Sequence, residues 1–319
     1  HGSIHADRAA QRRLLQVRDR AAVAQTAAPV ALTGRTVLIT GSSSGFGRLT
    51  ALHLADLGAN VVASMRNLQG GRRPEAVSLL AEARGKPGKV QVVEIDVTKP
   101  DQVASGVREA QRLLGGAPDV LVSNAGIGLG GPIELHDDAA LELQMQTNLM
   151  GGLRMARAVL PGMRARKSGL IIPVSSQLGR LVLPGVGAYC SSKFGLEAAF
   201  EAMAYEIAPF GVEVTIVQPG GYPTRIWESG GRAFDAVLAR TDAERRAAYE
   251  PHIALTRGMQ SQPRSTDPSD VARAIAALIA LPAGERPLRR PVHPNSQGVE
   301  AANAALARLQ AGAMGQGPY

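Results

Sequence analysis

Cysteine is almost missing: Cys190 is the only one in 319 residues. That count excludes an intramolecular disulfide and a thiolate cluster for zinc or iron–sulfur, and no other residue set reads as a metal site. Nothing in it speaks for an oxidising compartment. Aromatic residues are scarce as well, at 3%, made up of five Phe, five Tyr and one Trp. So thin a supply argues against a surface built on base stacking or an aromatic sugar platform. No uninterrupted apolar stretch approaches the roughly 18 residues that a membrane-spanning helix requires. With 45% apolar and 19% charged residues, the chain is neither disordered nor collagen-like. Its length fits two domains of about 150 residues, or one wide α/β domain.

What the chain does have is positive charge, a formal +8 with a pI near 10.1. Such a balance invites a nucleic-acid or anionic-surface reading, which depends on where the charges lie. Five arginines against Asp7 and Asp19 put +3 ahead of residue 34, leaving +5 for the rest. Within 6–25, Leu14, Val17, Ala21 and Ala24 form one stripe at helical spacing, opposite Arg12, Arg13, Arg18 and Arg20. That pattern reads as a surface helix. Arg12-Arg13-Leu14-Leu15 hints at export, but Arg18, Asp19 and Arg20 interrupt any apolar segment behind it, so the expected location is cytoplasmic. His1-Gly2-Ser3 has no initiator Met and reads as an expression scar. Arg286, Arg289 and Arg290 cluster near the end without interleaved aromatics, so no nucleic-acid partner is expected.

From Gly34 onward, short β-branched runs alternate with Ala/Leu-rich helical stretches. Strands are expected at 36–40, 60–64, 90–95, 119–123, 170–174 and 213–218, each almost continuously apolar, as in parallel strands covered on both faces. Helical patterns fall near 46–57, 101–114, 139–160 and 188–209. This alternation predicts an α/β fold: one doubly wound, Rossmann-type parallel sheet of about seven strands, with helices on both faces. The pattern loosens between Gly220 and about Pro268, read as an insertion over 221–267. A helix over 269–281, opened by Asp-Pro-Ser-Asp, and a last strand near 288–292 complete a domain spanning 34–293. Residues 1–33 form the charged, helical extension, and 294–319 a partly helical tail.

The first strand runs into Thr40-Gly41-Ser42-Ser43-Ser44-Gly45-Phe46-Gly47 and then a helix. Glycines let a backbone approach a pyrophosphate closely, and the helix N-terminus supplies N–H donors and a positive dipole. The second strand ends in Met65-Arg66, with no acid to grip a ribose 2′-hydroxyl; an arginine there suits a 2′-phosphate, or is simply solvated. Arg72 and Arg73 add to the same field or face water. Asp96 closes the third strand, either to accept from an adenine amino group or as a turn residue. Asn124-Ala125-Gly126 follows the fourth strand, and Asn148 lies inside a long helix, where it either disturbs the helix or binds water. The fifth strand leads to Ser176, and Tyr189 and Lys193 follow at i and i+4 on one helix face. A free phenol titrates near 10. A neighbouring ammonium is expected to pull that value down and make the phenol a usable acid/base, while Ser176 polarises a carbonyl. The bland alternative is a packed tyrosine beside a surface lysine.

Taken in order, these motifs resemble the classical short-chain dehydrogenase/reductase family, from about Gly34 to at least Thr224: Thr-Gly-x-x-x-Gly-x-Gly at 40–47, Asp96-Val97, Asn-Ala-Gly at 124–126, Asn148, Ser176, Tyr-x-x-x-Lys at 189–193, and Pro219-Gly220 with Thr224. The resemblance implies Tyr189 as acid/base and Ser176 as the group that orients the carbonyl. Lys193 would lower the Tyr pKa and hold the nicotinamide ribose, and Asn148 would keep a relay water. It implies cofactor contacts from Gly41, Ser43, Ser44, Gly45, Phe46, Gly47, Arg66, Asp96, Val97, Asn124, Ala125, Gly126, Tyr189, Lys193, Pro219, Gly220 and Thr224. Ser43 and Arg66 match the NADP-preferring members. The expected function is NADP(H)-dependent interconversion of a ketone or aldehyde and an alcohol. A nucleotide-binding regulator without turnover, and a lyase or isomerase of the same family, are the alternatives. The substrate would meet 222–267, where Tyr222 is expected at the pocket mouth. Trp227, Phe234, Leu238, Tyr249 and Met259 are either pocket lining or plain core, and their low polarity favours an apolar substrate. A homodimer or homotetramer built on the helices near 139–160 and 188–209 is also implied.

Overall fold

Runs such as Thr36-Val37-Leu38-Ile39 alternate their side chains between the two faces of a strand, so covering both faces buries the whole run. The computed structural model of the protein, which describes residues 30–315, builds its sheets this way. The Arg-rich stripe and the export reading lie outside the described residues. Six parallel strands stand in the order β3-β2-β1-β4-β5-β6. They are β1 (Thr36–Ile39), β2 (Asn60–Met65), β3 (Lys89–Glu94), β4 (Val120–Ser123), β5 (Gly169–Pro173) and β6 (Val212–Val214). A parallel pair follows, β7 (Ile216–Pro219) with β8 (Arg289–Val292). β6 and β7 are the single run expected at 213–218, interrupted at Thr215. Across the interruption Thr215 N–H still donates to Ile171 O (3.0 Å) and Ser175 N–H to Val217 O (2.8 Å). The layer therefore continues as seven strand positions.

Val37, Ile39, Val61 and Ala63 face one helical layer, in which α1 (Gly45–Asp56) lies against the late helix α10 (Ser269–Ala280). Leu38, Val62, Leu121 and Ile171 face the other. There α3 (Pro100–Leu114), α5 (Gly151–Arg166) and α6 (Gly187–Ile207) supply Val107, Met155, Val159, Leu196 and Phe200. Leu32, two residues ahead of Gly34, is already in the core at 3% exposure. The helix expected across 139–160 is a composite. α4 (Asp138–Met145) begins where Asp137 accepts the Ala140 N–H, and a π-helical turn, Gln146–Met150, separates it from α5.

Other elements exceed the sequence reading. α2 (Pro74–Glu82), which lies where the periodicity predicts no helix, starts with Pro in its first turn, a helix-start signal. Residues 221–267 are not loose but carry α7 (Ile226–Arg240), α8 (Ala243–Ala248) and α9 (Glu250–Ser261). The tail forms α11 (Gln297–Gly315). Asp267 accepts the Ser269 N–H at 2.9 Å, as the Asp-Pro-Ser-Asp start of α10 predicts.

Phe200 is fully buried in the second layer. Phe200→Ala is expected to cost about 3–5 kcal/mol of stability, read from urea unfolding midpoints. The exposed control Val77→Ala is expected to stay within about 0.5 kcal/mol.

Candidate active site

The strand tips meet first. The buried Thr40 hydroxyl accepts from the N–H groups of Asn124 (3.0 Å) and Ala125 (2.9 Å). The Asn124 amide donates back to Thr40 O (2.9 Å) and Gly41 O (3.2 Å). This stitch brings the two loops so close that a Cβ on Gly41 would sit 2.8 Å from Ala125 Cα. One on Gly47 would sit 2.5 Å from both Asn124 Nδ2 and Gly41 O. Gly41 and Gly45 also need their positive φ, +70° and +56°. Ser44 caps α1 without a side-chain hydrogen bond, so the helix presents free N–H groups. They face a cleft of about 710 Å³, within the usual range for small-molecule sites, about 300–1,000 Å³.

Gly41, Ser43, Ser44, Gly45 and Phe46 line that cleft, as do Arg66, Asp96, Val97, Asn124, Ala125 and Gly126. Ser176, Tyr189, Lys193, Pro219, Gly220 and Thr224 line it too. Gly47 and Asn148 stand behind the wall. At the tip of β2, the Arg73 guanidinium donates to the carbonyl of Arg66 and pairs with Glu75 at 3.0 Å. Arg72 does not line the cleft. Partial burial pushes the Asp96 carboxyl up. Hydrogen bonds from the Thr98 amide and hydroxyl and the charge of Arg66 outweigh this and hold it below its usual value. Asp96 is thus a turn residue and a wall residue together. Thr224 lies 3.6 Å from where a Cβ on Gly45 would stand, closing the cleft over the glycine loop.

Ser176 Oγ accepts the Leu178 N–H at 3.1 Å, and its hydroxyl acts on the Tyr189 phenol to favour the ionised form. Lys193 is 5% exposed; its Nζ donates to Val174 O at 2.9 Å and lies 5.8 Å from the Tyr189 ring centroid. Burial pushes the Tyr189 phenol up to about 12, against the lowering effect of the Ser176 hydrogen bond. This is opposite to the lowering that the i, i+4 spacing suggests, because enclosure favours the neutral phenol and the ammonium is tied to a carbonyl. The same burial lowers Lys193 to about 8, opposed by the nearby charge of Glu197. Asn148, 1% exposed in the π turn, uses both amide hydrogens and one acceptor site within the fold. It accepts from Ile127 N–H (2.8 Å) and donates to Ile127 O (2.9 Å) and Ser192 Oγ (3.0 Å). The mid-helix asparagine does disturb its helix, and the wider turn aims it at the loop after β4.

The residues of 221–267 divide between the cleft and the core. Tyr222 lines the cleft but is 1% exposed, its ring edge-on between Phe46 (5.6 Å) and His293 (5.3 Å), its hydroxyl on Asp270 (3.2 Å). Trp227 and Met259 line the cleft, whereas Phe234 and Leu238 are core. Tyr249 donates to Glu134 at 2.6 Å. Two of the three late arginines, Arg286 and Arg289, are spent internally. Arg289 pairs with the buried Glu197 (2.8 Å) and with Glu201 (2.5 Å), and Arg286 pairs with Glu213. Gln218 donates to Glu197 at 2.9 Å, so this cluster fastens α6 to β7 and β8. No metal-ligating cluster occurs among the described residues, and none of their helices is long and apolar enough to cross a membrane.

Comparison with known proteins gives a consistent picture. A family model described as short chain dehydrogenase matches residues 35–233. The 3-ketodihydrosphingosine reductase of Bacteroides thetaiotaomicron is 39% identical over 188 residues, 59% of this chain and 64% of that protein. The 17-beta-hydroxysteroid dehydrogenase type 1 of Homo sapiens is 34% identical over 250 residues, 77% of this chain and 74% of that one. The crystal structure of a short-chain dehydrogenase from Streptomyces avermitilis superposes with a TM-score of 0.68 at 29% identity, covering 88% of this chain and 96% of that chain. A metagenomic short-chain oxidoreductase in complex with NADP superposes with a TM-score of 0.64 at 26% identity, covering 83% and 99%.

The depressed Lys193 value has a measurable consequence. Between about 8 and its ordinary 10.5, the unfolded chain binds a proton at this lysine that the folded chain does not, so stability attributable to Lys193 rises with pH across that window. Urea midpoints taken at pH 7.5 and 10 are expected to show a larger gain, or smaller loss, in the wild type than in Lys193→Met. An identical pH response in the two proteins would contradict the buried ammonium.

Proposed function

The chain belongs to the short-chain dehydrogenase/reductase family of oxidoreductases, and we propose that it interconverts a ketone or aldehyde with an alcohol using NADP(H). The observation that carries this reading is that Ser176, Tyr189 and Lys193 line the same cleft as the glycine loop. The residues fit a dinucleotide. Uncapped N–H groups at α1 suit its pyrophosphate, and Arg66 with Arg73 at the tip of β2 suits a 2′-phosphate. Lys193 and Tyr189 would hold the nicotinamide ribose, with Pro219, Gly220 and Thr224 over the nicotinamide side. Bound there, the cofactor supplies or accepts a hydride.

The chain's own groups handle the proton and the carbonyl. Ser176 sits beside the phenol and orients the substrate oxygen toward it. Tyr189, held protonated at neutral pH by its enclosure, gives its proton to that oxygen in the reductive direction and takes it back in the oxidative one. Lys193, anchored on Val174 O, places positive charge near the phenolate that forms, which lowers the cost of proton loss. Asn148 fixes the backbone of Ile127 across the cleft floor.

Leu129, Leu183, Val186, Ile226, Trp227 and Met259 line the substrate end of the cleft, supporting an apolar body for the alcohol or ketone. The names of the similar reductase and hydroxysteroid dehydrogenase point the same way. Leu143, Met150 and Phe194 are exposed on the outer faces of α4, the π turn and α6, which supports a homo-oligomer formed through those helices.

A cofactor-oxidation assay over a panel of carbonyl compounds tests this reading. Wild type is expected to prefer NADPH to NADH. Tyr189→Phe should lose at least about 10²-fold in kcat while still binding cofactor, in line with the loss of a general acid. Arg66→Ala should lose about tenfold or more in kcat/KM for NADPH and little for NADH, as for one lost charge-assisted contact. Tight NADPH binding without turnover of any carbonyl or alcohol favours the regulator instead, and a preference for NADH overturns the role of Arg66.

A further inference from the structure

Five arginines line the cleft, and three of them are already paired. Arg73 pairs with Glu75 at 3.0 Å, Arg225 with Glu75 at 3.9 Å, and Arg232 with Glu228 at 2.5 Å. Among the described residues neither Arg66 nor Arg264 has a carboxylate within 4 Å. Arg66 stands at the β2 tip, where the proposed 2′-phosphate would be held. Arg264 stands elsewhere, just beyond α9, and its Nε lies 3.7 Å from where a Cβ on Gly221 would be, next to Pro219-Gly220.

Arg264 is held in a fixed pose. Its guanidinium carbon lies 3.5 Å from the centroid of the Trp227 ring. Nη1 donates to Gln262 O at 2.8 Å and Nη2 to Met259 O at 2.6 Å. Trp227 is itself fixed, its Nε1 donating to Tyr222 O at 2.7 Å. Two backbone carbonyls and one ring use only part of a five-donor fork, and they leave Nε and the remaining N–H directions free. A half-buried cation stacked on an indole, with unspent donors and no counter-charge among the described residues, is organised for a planar or tetrahedral oxyanion.

We propose that Arg264, laid on Trp227, is an oxyanion-binding residue of the cleft, taking a carboxylate or phosphate group at the junction of the cofactor and substrate regions. The oxyanion has two possible carriers: an acidic group on an otherwise apolar substrate, or the pyrophosphate of the dinucleotide. The inference deepens the proposed function and rests on it for the identity of the neighbouring cofactor. The partial burial that lowers the Arg264 pKa fits a cation without a partner.

Trp227 is the only tryptophan of the chain, so its fluorescence reads the stack directly. The wild type, Arg264→Met and Arg264→Lys are titrated with NADPH and NADH, then with decanoate and with decanol, each with and without cofactor. If the substrate carries the oxyanion, the wild type binds decanoate at least tenfold more tightly than decanol. The Met variant then loses that preference, the Lys variant keeps most of it, and cofactor affinity stays within twofold. If the pyrophosphate is the ligand, the Met variant binds NADPH and NADH each at least tenfold more weakly, which also separates this role from a 2′-phosphate contact. Cofactor affinity unchanged in both variants, together with no decanoate preference in the wild type, overturns the proposal. A wild-type chain that binds neither cofactor counts against the proposed function instead, and decanoate with decanol on the free chain then decides Arg264.

Discussion

The Thr40 hydroxyl takes two backbone N–H groups from the loop after β4, and Asn124 returns two donors to the loop after β1. Each buried bond contributes about 1 kcal/mol net, whereas leaving its groups unmade costs about 1–3 kcal/mol, so the stitch is held mainly by the cost of breaking it. It forces the two loops to within van der Waals distance, and only glycine fits at 41 and 47. The next link follows from the first. A Cβ on Gly126 would meet Asn148 Oδ1 at 3.3 Å and Lys193 Nζ at 3.7 Å. One set of close approaches therefore runs from the glycine loop to the lysine on α6, and the mouth of α1 cannot move without disturbing it.

Enclosure then sets the chemistry. Burial favours the neutral form of any ionisable group, so it raises the phenol of Tyr189 and lowers the ammonium of Lys193. Enclosure thus keeps the proton on the phenol and brings the lysine ammonium nearer to titration, the charge state from which the proposed reduction would begin. Glu197, one turn further along α6, is buried but not uncompensated, because Arg289 and Gln218 satisfy both of its oxygens. That cluster uses an arginine that, in sequence, contributes to an apparent basic patch. Arg286 is likewise taken by Glu213. The net charge overstates the cationic surface this part of the chain offers to a large anionic partner.

Strands were readable because each is a short apolar run between turn residues, and their bounds differ from expectation by a residue or so. The helices of 221–267 were not, since Gly230, Gly231 and several arginines dilute the repeat that Phe234, Val237 and Leu238 carry. α2 was missed for a related reason: it buries only Ala76 and Leu79, too few to mark a face. Asn148 was visible as an irregularity, but a π turn follows from its bonds to Ile127 and Ser192, residues distant in sequence. Tyr222 looked like a mouth residue because it follows Pro219-Gly220. Its burial comes from Phe46 and His293, which only folding brings to it.

The sequence by itself determined the family, the parallel sheet and the residues that gather at the cleft, because periodicity, glycine spacing and the Tyr-x-x-x-Lys step are local properties of the chain. Tertiary structure decided the quantities that depend on neighbours far along the chain. It sent the tyrosine value up rather than down, since enclosure outweighs a nearby ammonium tied to Val174 O. It sorted the arginines as well, giving some to buried carboxylates and leaving Arg264 stacked on Trp227 with no carboxylate partner among the described residues. A charge count cannot make that division, because whether a cation is spent depends on which acid the fold places within reach.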